Sequence, residues 1–280
     1  MTEDVTASWL GRTEAAEDIA NASAIRGLAA LLDHDGAPWR SNVMPPLAHW
    51  LYFPPQARQS ELGEDGHPKP GGLIPSSLFP RRMWAGSRVR FHEDIPLGAK
   101  MSRRSEVVNV ARKDGASGPL VFVTLRHVVL SNGALALEEE QDLVYRPINA
   151  TSPVHPAAPQ SPSVESAGGD RVVVPDAVML FRFSALTFNA HRIHYDRRYA
   201  IEREGYPDLV VHGPLAATLL MDAWLQRTAG QPARFSFRAQ RPLYVDRPVR
   251  LDVQGDAGMA RLTALDASGT ACMTAQVSAV

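Results

Sequence analysis

Residues 187–196 read Thr187-Phe188-Asn189-Ala190-His191-Arg192-Ile193-His194-Tyr195-Asp196, and Val211-His212-Gly213-Pro214-Leu215 follows a short way downstream. No other stretch packs so many proton-handling and amide-bearing groups into so few positions. An imidazole titrates near working pH and can take or give a proton. A glycine lets a ligand approach the backbone closely, and a helix start offers amide hydrogens and a favourable dipole to developing negative charge. Together these groups suit proton movement beside a carbonyl whose oxygen becomes anionic. Plainer readings stand beside this one. His191 serves packing, His212 braces its loop, Gly213-Pro214 simply opens a helix, and Asp196 favours a helix start by its charge.

These residues need elements to position them. Leu215, Leu219, Leu220, Ala223 and Trp224 recur at helical spacing, which predicts a helix over Leu215–Arg227. Pro214 suits its first position and Gly230 its exit. Upstream lie Val172–Val174 and the apolar run Phe181–Ala190, and strands are expected at Arg234–Arg241, Val249–Gln254, Ala260–Asp266 and Thr270–Val280. The N-terminal half has the same order. Ile25–Asp33 is a short periodic segment, Pro45-Pro46-Leu47 opens a second apolar stretch at Ala48–Phe53, and strands are expected at Arg88–His92, Ser105–Arg112, Leu120–Leu130 and Ala134–Tyr145. Asn132-Gly133 between two alternating runs is a hairpin signal.

A Pro-, Ser-, Ala- and Gly-rich stretch separates the halves and reads as a linker. The expected division is 1–146, a linker at 147–170, and 171–280. The halves can be laid over each other: Ala30–Asp35 falls on Ala185–Ala190, and Met44–Ala48 on His212–Ala216. This points to a duplication in which only the second copy keeps the His and Gly chemistry. The expected fold is α+β, a double hot-dog: two tandem halves, each a curved antiparallel sheet around a central helix. Joining two copies edge to edge satisfies strand edges that each alone would expose.

Bulk properties narrow the function. The chain has 280 residues, 45% hydrophobic and 21% charged, with net charge −1. No dense basic block favours nucleic acid or an anionic membrane, and no apolar run reaches the roughly 20 residues of a membrane span. A polar N-terminus carries no secretion signal, so a cytoplasmic location is expected. The single cysteine, Cys272, excludes a disulfide or cysteine metal site within one chain and reads as a buried apolar side chain. Dinucleotide-binding, phosphate-cradling and nucleophile-elbow motifs are absent.

The segments Phe183–Asp196 and Val211–Leu215 resemble the MaoC-like and type 2 hydroxyacyl-thioester dehydratase family, in particular its bacterial mesaconyl-CoA and itaconyl-CoA hydratases. Trp50-Leu51-Tyr52-Phe53 and Pro80-Arg81-Arg82-Met83-Trp84-Ala85-Gly86 resemble that family's degenerate N-terminal domain. The resemblance implies reversible hydration of an α,β-unsaturated acyl-CoA at the seam between copies. It departs at one point. R-specific enoyl-CoA hydratases carry an Asp, an Asn two residues on, and a His five residues after the Asp. Matching Asn to Asn puts Thr187 at the acidic position; matching the spacing puts Asn189 there, with His194 as the catalytic histidine. The carboxylate is missing either way.

On this reading His194 takes a proton from water, Asn189 orients the water through its carbonyl oxygen, and His191 or Asp196 tunes His194. The Gly213 amide meets the enolate oxygen. Arg81, Arg82 or Arg192 grips CoA phosphate or a distal carboxylate, with His212 and Leu215 also against substrate. No metal or redox cofactor is expected, CoA being part of the substrate, and a homodimer is expected. The alternatives are an acyl-carrier-protein or CoA dehydratase of fatty-acid metabolism, a hot-dog thioesterase using Glu202 or Asp222, and a non-catalytic acyl-thioester-binding protein.

Overall fold

The computed structural model of the protein describes residues 8–35, 39–69, 72–73, 79, 81–115, 118–147 and 171–279. Apart from Pro147, the expected linker lies outside the described residues, as do Pro80 and Val280. In chain order the elements are β1 (Thr13–Ile19), α1 (Ala22–Leu31), 3-10 turns at Ala48–Leu51 and Gln59–Glu61, β2 (Arg81–Phe91), β3 (Lys100–Gly115), β4 (Gly118–Ser131) and β5 (Ala134–Arg146). The second half follows with β6 (Arg171–Val173), α2 (Ala177–Thr187), a 3-10 turn at Arg192–His194, α3 (Arg197–Glu202) and α4 (Gly213–Thr228). It closes with β7 (Pro232–Ala239), β8 (Val249–Gly255), β9 (Met259–Leu265) and β10 (Ala271–Ala279). No helix among the described residues is long and apolar enough to cross a membrane.

All ten strands form one antiparallel sheet in the order β1-β3-β4-β5-β2-β7-β10-β9-β8-β6. From the middle outward each half runs through its second, fifth, fourth, third and first strand, so the two halves repeat one topology. This is the double hot-dog expected from the sequence. The join is β2 against β7, with Gly86 opposite Arg238 and Val89 opposite Phe235. It turns two sheet edges into a ladder buried at Ser87, Val89 and Phe235. At Gly86 the strands approach so closely that a methyl group would sit 2.4 Å from the Phe237 carbonyl oxygen.

Helix α4 is the centre of the second half. Every residue from Leu215 to Trp224 is buried, so this stretch has no polar face to turn to water. The one charge in that buried stretch, Asp222, is 2% exposed and meets His34 Nε2 at 2.9 Å and Arg171 Nη1 at 2.5 Å. His34 belongs to the first half, so this buried charge ties the halves together.

The first half departs from expectation where its own central helix should stand. Ala48–Phe53, matched in sequence to the start of α4, yields a single 3-10 turn at Ala48–Leu51. Leu47 enters it with φ 67, outside helical geometry, and Pro54-Pro55 bar its extension. A sheet around a full central helix is therefore present in the second half only.

Smaller differences have local causes. α1 begins at Ala22, three residues before the periodic run, because the Asn21 side chain accepts from Ala24 N. The run Phe181–Ala190 falls largely in α2, which starts earlier, at a cap from Asp176, and ends at Phe188 with φ 49. At the exit of α4, Ala229 rather than Gly230 takes the left-handed conformation. Strand β1 is a mostly exposed edge without apolar alternation, and its sequence gave no sign of it. Asn132 and Gly133 both have positive φ and close the expected hairpin between β4 and β5.

Substituting Gly86→Ala is expected to destabilise the protein by about 1–3 kcal/mol through overpacking at the join. Gly72→Ala, whose added methyl meets nothing within 4 Å, serves as control. Thermal denaturation should lower Tm for the first variant only.

Candidate active site

A cavity of about 1030 Å³ opens where the two halves meet, lined by the α2–α4 connection and by β2 and the 62–68 loop of the first half. It adjoins a second cavity of about 700 Å³, and both are bounded by Trp50, His67, Arg82, Trp84 and Thr187. Ala48–Leu51, the 3-10 turn that stands where a central helix was expected, borders this space through Trp50 and, in the second cavity, His49.

Its second-half wall is built by three short devices. The Asn189 side-chain oxygen accepts from His191 N at 3.0 Å and turns the chain out of α2. The Arg192–His194 turn then brings His194 inward. Asp196 caps α3 by accepting from Tyr199 N at 3.0 Å. Further on, Val210 N donates to Ile193 O and Val211 N to Leu243 O, fixing the approach to α4.

Four imidazoles stand in a row in this cavity. His67 and His191 have ring centroids 4.1 Å apart, His191 and His194 5.4 Å, and His194 and His212 3.7 Å in a stack. His194 Nδ1 lies 2.7 Å from Val210 O. A carbonyl only accepts, so Nδ1 carries the proton and Nε2 is left as an acceptor. His212 Nε2 shares a hydrogen bond with Ser184 Oγ at 2.9 Å. Gly213 opens α4 beside them, with no side-chain cap from His212. A methyl there would meet only Trp84 O, at 3.7 Å, so packing does not demand glycine and the room is left to the cavity.

Burial dominates the electrostatics. It pulls His194 down to about 4, with the Val210 carbonyl partly opposing and His67 adding to the fall. It holds His191 and His212 far below the ordinary histidine value, helped by neighbouring imidazoles. His67 is lowered by burial and by Arg82, against the raising effect of Asp65. Burial works against ionisation of Asp65 too, but bonds from His67 and the field of Arg82 keep its carboxyl below the usual range.

The first half provides part of the site that the sequence motifs did not reveal. His67 Nδ1 donates to Asp65 Oδ2 at 2.8 Å, and His67 N to Asp65 Oδ1 at 3.0 Å. Gly66 between them has φ +88, and a methyl on it would fall 1.8 Å from Ala190 O. Arg192 N donates to Asp65 O and its guanidinium to Glu64 O, at 2.9 and 3.1 Å. The only sequence sign was length: Pro54 to Pro80 is too long for a plain connector.

Asn189, His191, His194, His212, Gly213 and Arg82 all line the cavity. Other expected site residues lie elsewhere. Arg81 and Arg82 are consecutive on a strand and point to opposite faces; Arg81 is 6% exposed and pairs with Glu204 Oε2 at 2.9 Å. Arg192 is spent on Asp196, on Glu64 O and on the Tyr199 ring 4.1 Å away, and does not line the cavity. Asp196 is engaged by Arg192 and its own helix, so it does not orient His194. Leu215 is fully buried in the core and meets no substrate space. The Asn189 carbonyl oxygen, expected to orient water, is bonded to His191 N–H.

The thioesterase carboxylates fare no better. Glu202 is exposed beside Arg198, and Asp222 is buried between His34 and Arg171. Cys272 touches the cavity, but burial pushes its thiol up to about 12. One donor atom each from Asp65, His67 and His191 lies within 4.8 Å of the others, close enough to share a cation. The Arg82 charge beside both imidazoles opposes a metal ion there.

Residues 47–245 match the family profile of hydroxyacyl-thioester dehydratase type 2. The chain is 48% identical over 271 residues to the mesaconyl-C(4)-CoA hydratase of Chloroflexus aurantiacus, covering 96% of each. It is 30% identical over 239 residues to the mitochondrial hydroxyacyl-thioester dehydratase type 2 of Schizosaccharomyces pombe, covering 74% of this chain and 76% of that protein. Among solved structures, HtdX of Mycobacterium tuberculosis superposes with a TM-score of 0.69 at 18% identity, over 96% of this chain and 100% of that one.

Because His194 is held neutral, its contribution to stability is complete above the ordinary histidine pKa and is lost as pH falls from 6.5 towards about 4. The loss is on the order of 3 kcal/mol. Urea unfolding across that range should show wild type losing stability faster than His194→Gln, which has no such proton to take up.

Proposed function

Since the chain belongs to the type 2 hydroxyacyl-thioester dehydratase family and is a hydro-lyase acting on acyl thioesters, we propose that its substrate is a short enoyl-CoA bearing a distal carboxylate, of the mesaconyl-CoA or itaconyl-CoA kind. Hydration adds water to the β carbon and a proton to the α carbon, with negative charge passing through the thioester oxygen. The observation that carries this reading is the tautomer of His194: its Nδ1–H is committed to Val210 O, which leaves Nε2 to receive water beside the open start of α4. The Gly213 N–H and the dipole of α4 meet the enolate oxygen there; one such donor is commonly worth about 3–4 kcal/mol of barrier.

Substrate class rests on Arg82 together with the name of the 48% identical relative. A guanidinium in a cavity walled by Trp50 and Trp84 matches a carboxylate bidentately. A plain fatty enoyl chain gains nothing from that charge. A catalytic need for no metal or redox cofactor, a homodimer and a cytoplasmic location belong to the same proposal.

The test is a panel of mesaconyl-, itaconyl- and crotonyl-CoA, followed by enoyl absorbance and by free thiol. Loss of absorbance without thiol release is expected, fastest with a carboxylated substrate. Arg82→Met should lower kcat/KM for that substrate by about 10–100-fold more than for crotonyl-CoA. His194→Ala should lower kcat by about 10²–10⁴-fold. Thiol release instead of hydration, or no turnover of any of the three, rejects the proposal.

A further inference from the structure

The loop that resembles the family's catalytic segment has no carboxylate to give, because Asp196 is spent on its helix and on Arg192. Of the four cavity imidazoles, His194 is backed by a carbonyl and His212 by a hydroxyl. His191 is held by its own backbone bond to Asn189. Only His67 has a carboxylate on its ring among the described hydrogen bonds, Asp65 Oδ2 at 2.8 Å. The loop carrying that pair is seated on the site: Gly66 lies against Ala190 O, and Arg192 binds the backbone oxygens of Glu64 and Asp65.

Building on the hydration reading, we infer that Asp65 and His67 of the first half form the proton-transfer unit of the site, replacing the carboxylate missing from the second. His67 donates Nδ1–H to Asp65, so its Nε2 is the accepting atom. In the hydration direction this nitrogen takes a proton from water as the oxygen bonds to the β carbon. The π electrons move onto the thioester oxygen, opposite the Gly213 amide. The His67 imidazolium then gives the same proton to the α carbon, the enolate collapses to the carbonyl, and the imidazole returns neutral. Water has been added across the double bond, both parts to one face. His194 accepts the other O–H of the water and aims its lone pair.

The choice between the two imidazoles follows from what backs each. An imidazolium formed at His67 faces a carboxylate, whereas one formed at His194 faces only a neutral carbonyl. A half-buried carboxylate at hydrogen-bond distance stabilises the cation as it forms and fixes the ring's orientation. Asp65 is thus a positioning residue and His67 the catalytic one. The charged and titratable groups facing His67 are Asp65 on its own loop, Arg82 from β2, and His191 and His194 from the opposite wall.

The experiment uses the full chain, its wild-type hydration rate measured first; absence of that rate rejects the hydration reading rather than the assignment of the base. With wild type active, Asp65→Asn and His67→Ala are expected to lower kcat by about 10²-fold or more with KM nearly unchanged. Free imidazole should restore part of the His67→Ala rate. In Asp65→Asn the acid limb of kcat/KM should move to lower pH, because the charge that favours the imidazolium is gone. Near-normal rates in both variants overturn the assignment. So do slow variants whose limb stays in place and which imidazole does not rescue, and so does chelator-sensitive activity restored by a divalent metal. Should His67→Ala fail to fold, as judged by circular dichroism, the limb shift in Asp65→Asn decides alone.

Discussion

A proton cannot rest cheaply on an imidazole that water does not reach. Burial drives His191, His194 and His212 well below the ordinary histidine range, so each is a neutral ring at working pH and a reluctant cation. Hydration chemistry nevertheless requires a group that holds a proton for part of each turnover. The cavity meets both demands if one ring has a negative partner beside it, sheltered from most of the solvent. Asp65 beside His67 is that partner, and it comes from the first half, whose sequence does not carry the second half's His and Gly motif.

The two halves therefore contribute different parts of one cavity. The second keeps its central helix, whose bare start provides backbone amides, and a loop that turns His194 inward. The first has a single 3-10 turn at the matching place, bordering the cavities, and its 62–68 loop reaches the second half's site. The β2–β7 ladder, the Asp222–His34–Arg171 cluster and the contact of Gly66 with Ala190 hold the copies in one register. With no Cβ, Gly66 allows the two loops to meet closely enough for four rings to share one cavity.

Much of this was legible in the residues. Alternation and turn signals located eight of the ten strands, because each buries one face or closes a hairpin, and β6 falls on the Val172–Val174 run, to which no element type was assigned. β1 escaped because an exposed edge strand needs no alternation. The helical spacing of Leu215 to Trp224 found α4 within two residues at its start. His194, His212 and Gly213 could be grouped because they are close in sequence. Asp65 and His67 could not, being more than a hundred residues from the loop they serve, and neither hydrophobic period nor spacing encodes such a contact. Arg81 and Arg82 show the converse limit. Adjacency made them look equivalent, yet strand geometry sends one to an ion pair with Glu204 and the other to the cavity.

The most direct test of convergence on one pocket is a crystal structure with a bound 3-hydroxyacyl-CoA product. The β-hydroxyl is expected within about 2.6–3.2 Å of the Nε2 atoms of both His67 and His194, and the thioester oxygen turned to the Gly213 amide. A product whose hydroxyl lies away from His67, or whose carbonyl oxygen faces away from the start of α4, would contradict that convergence.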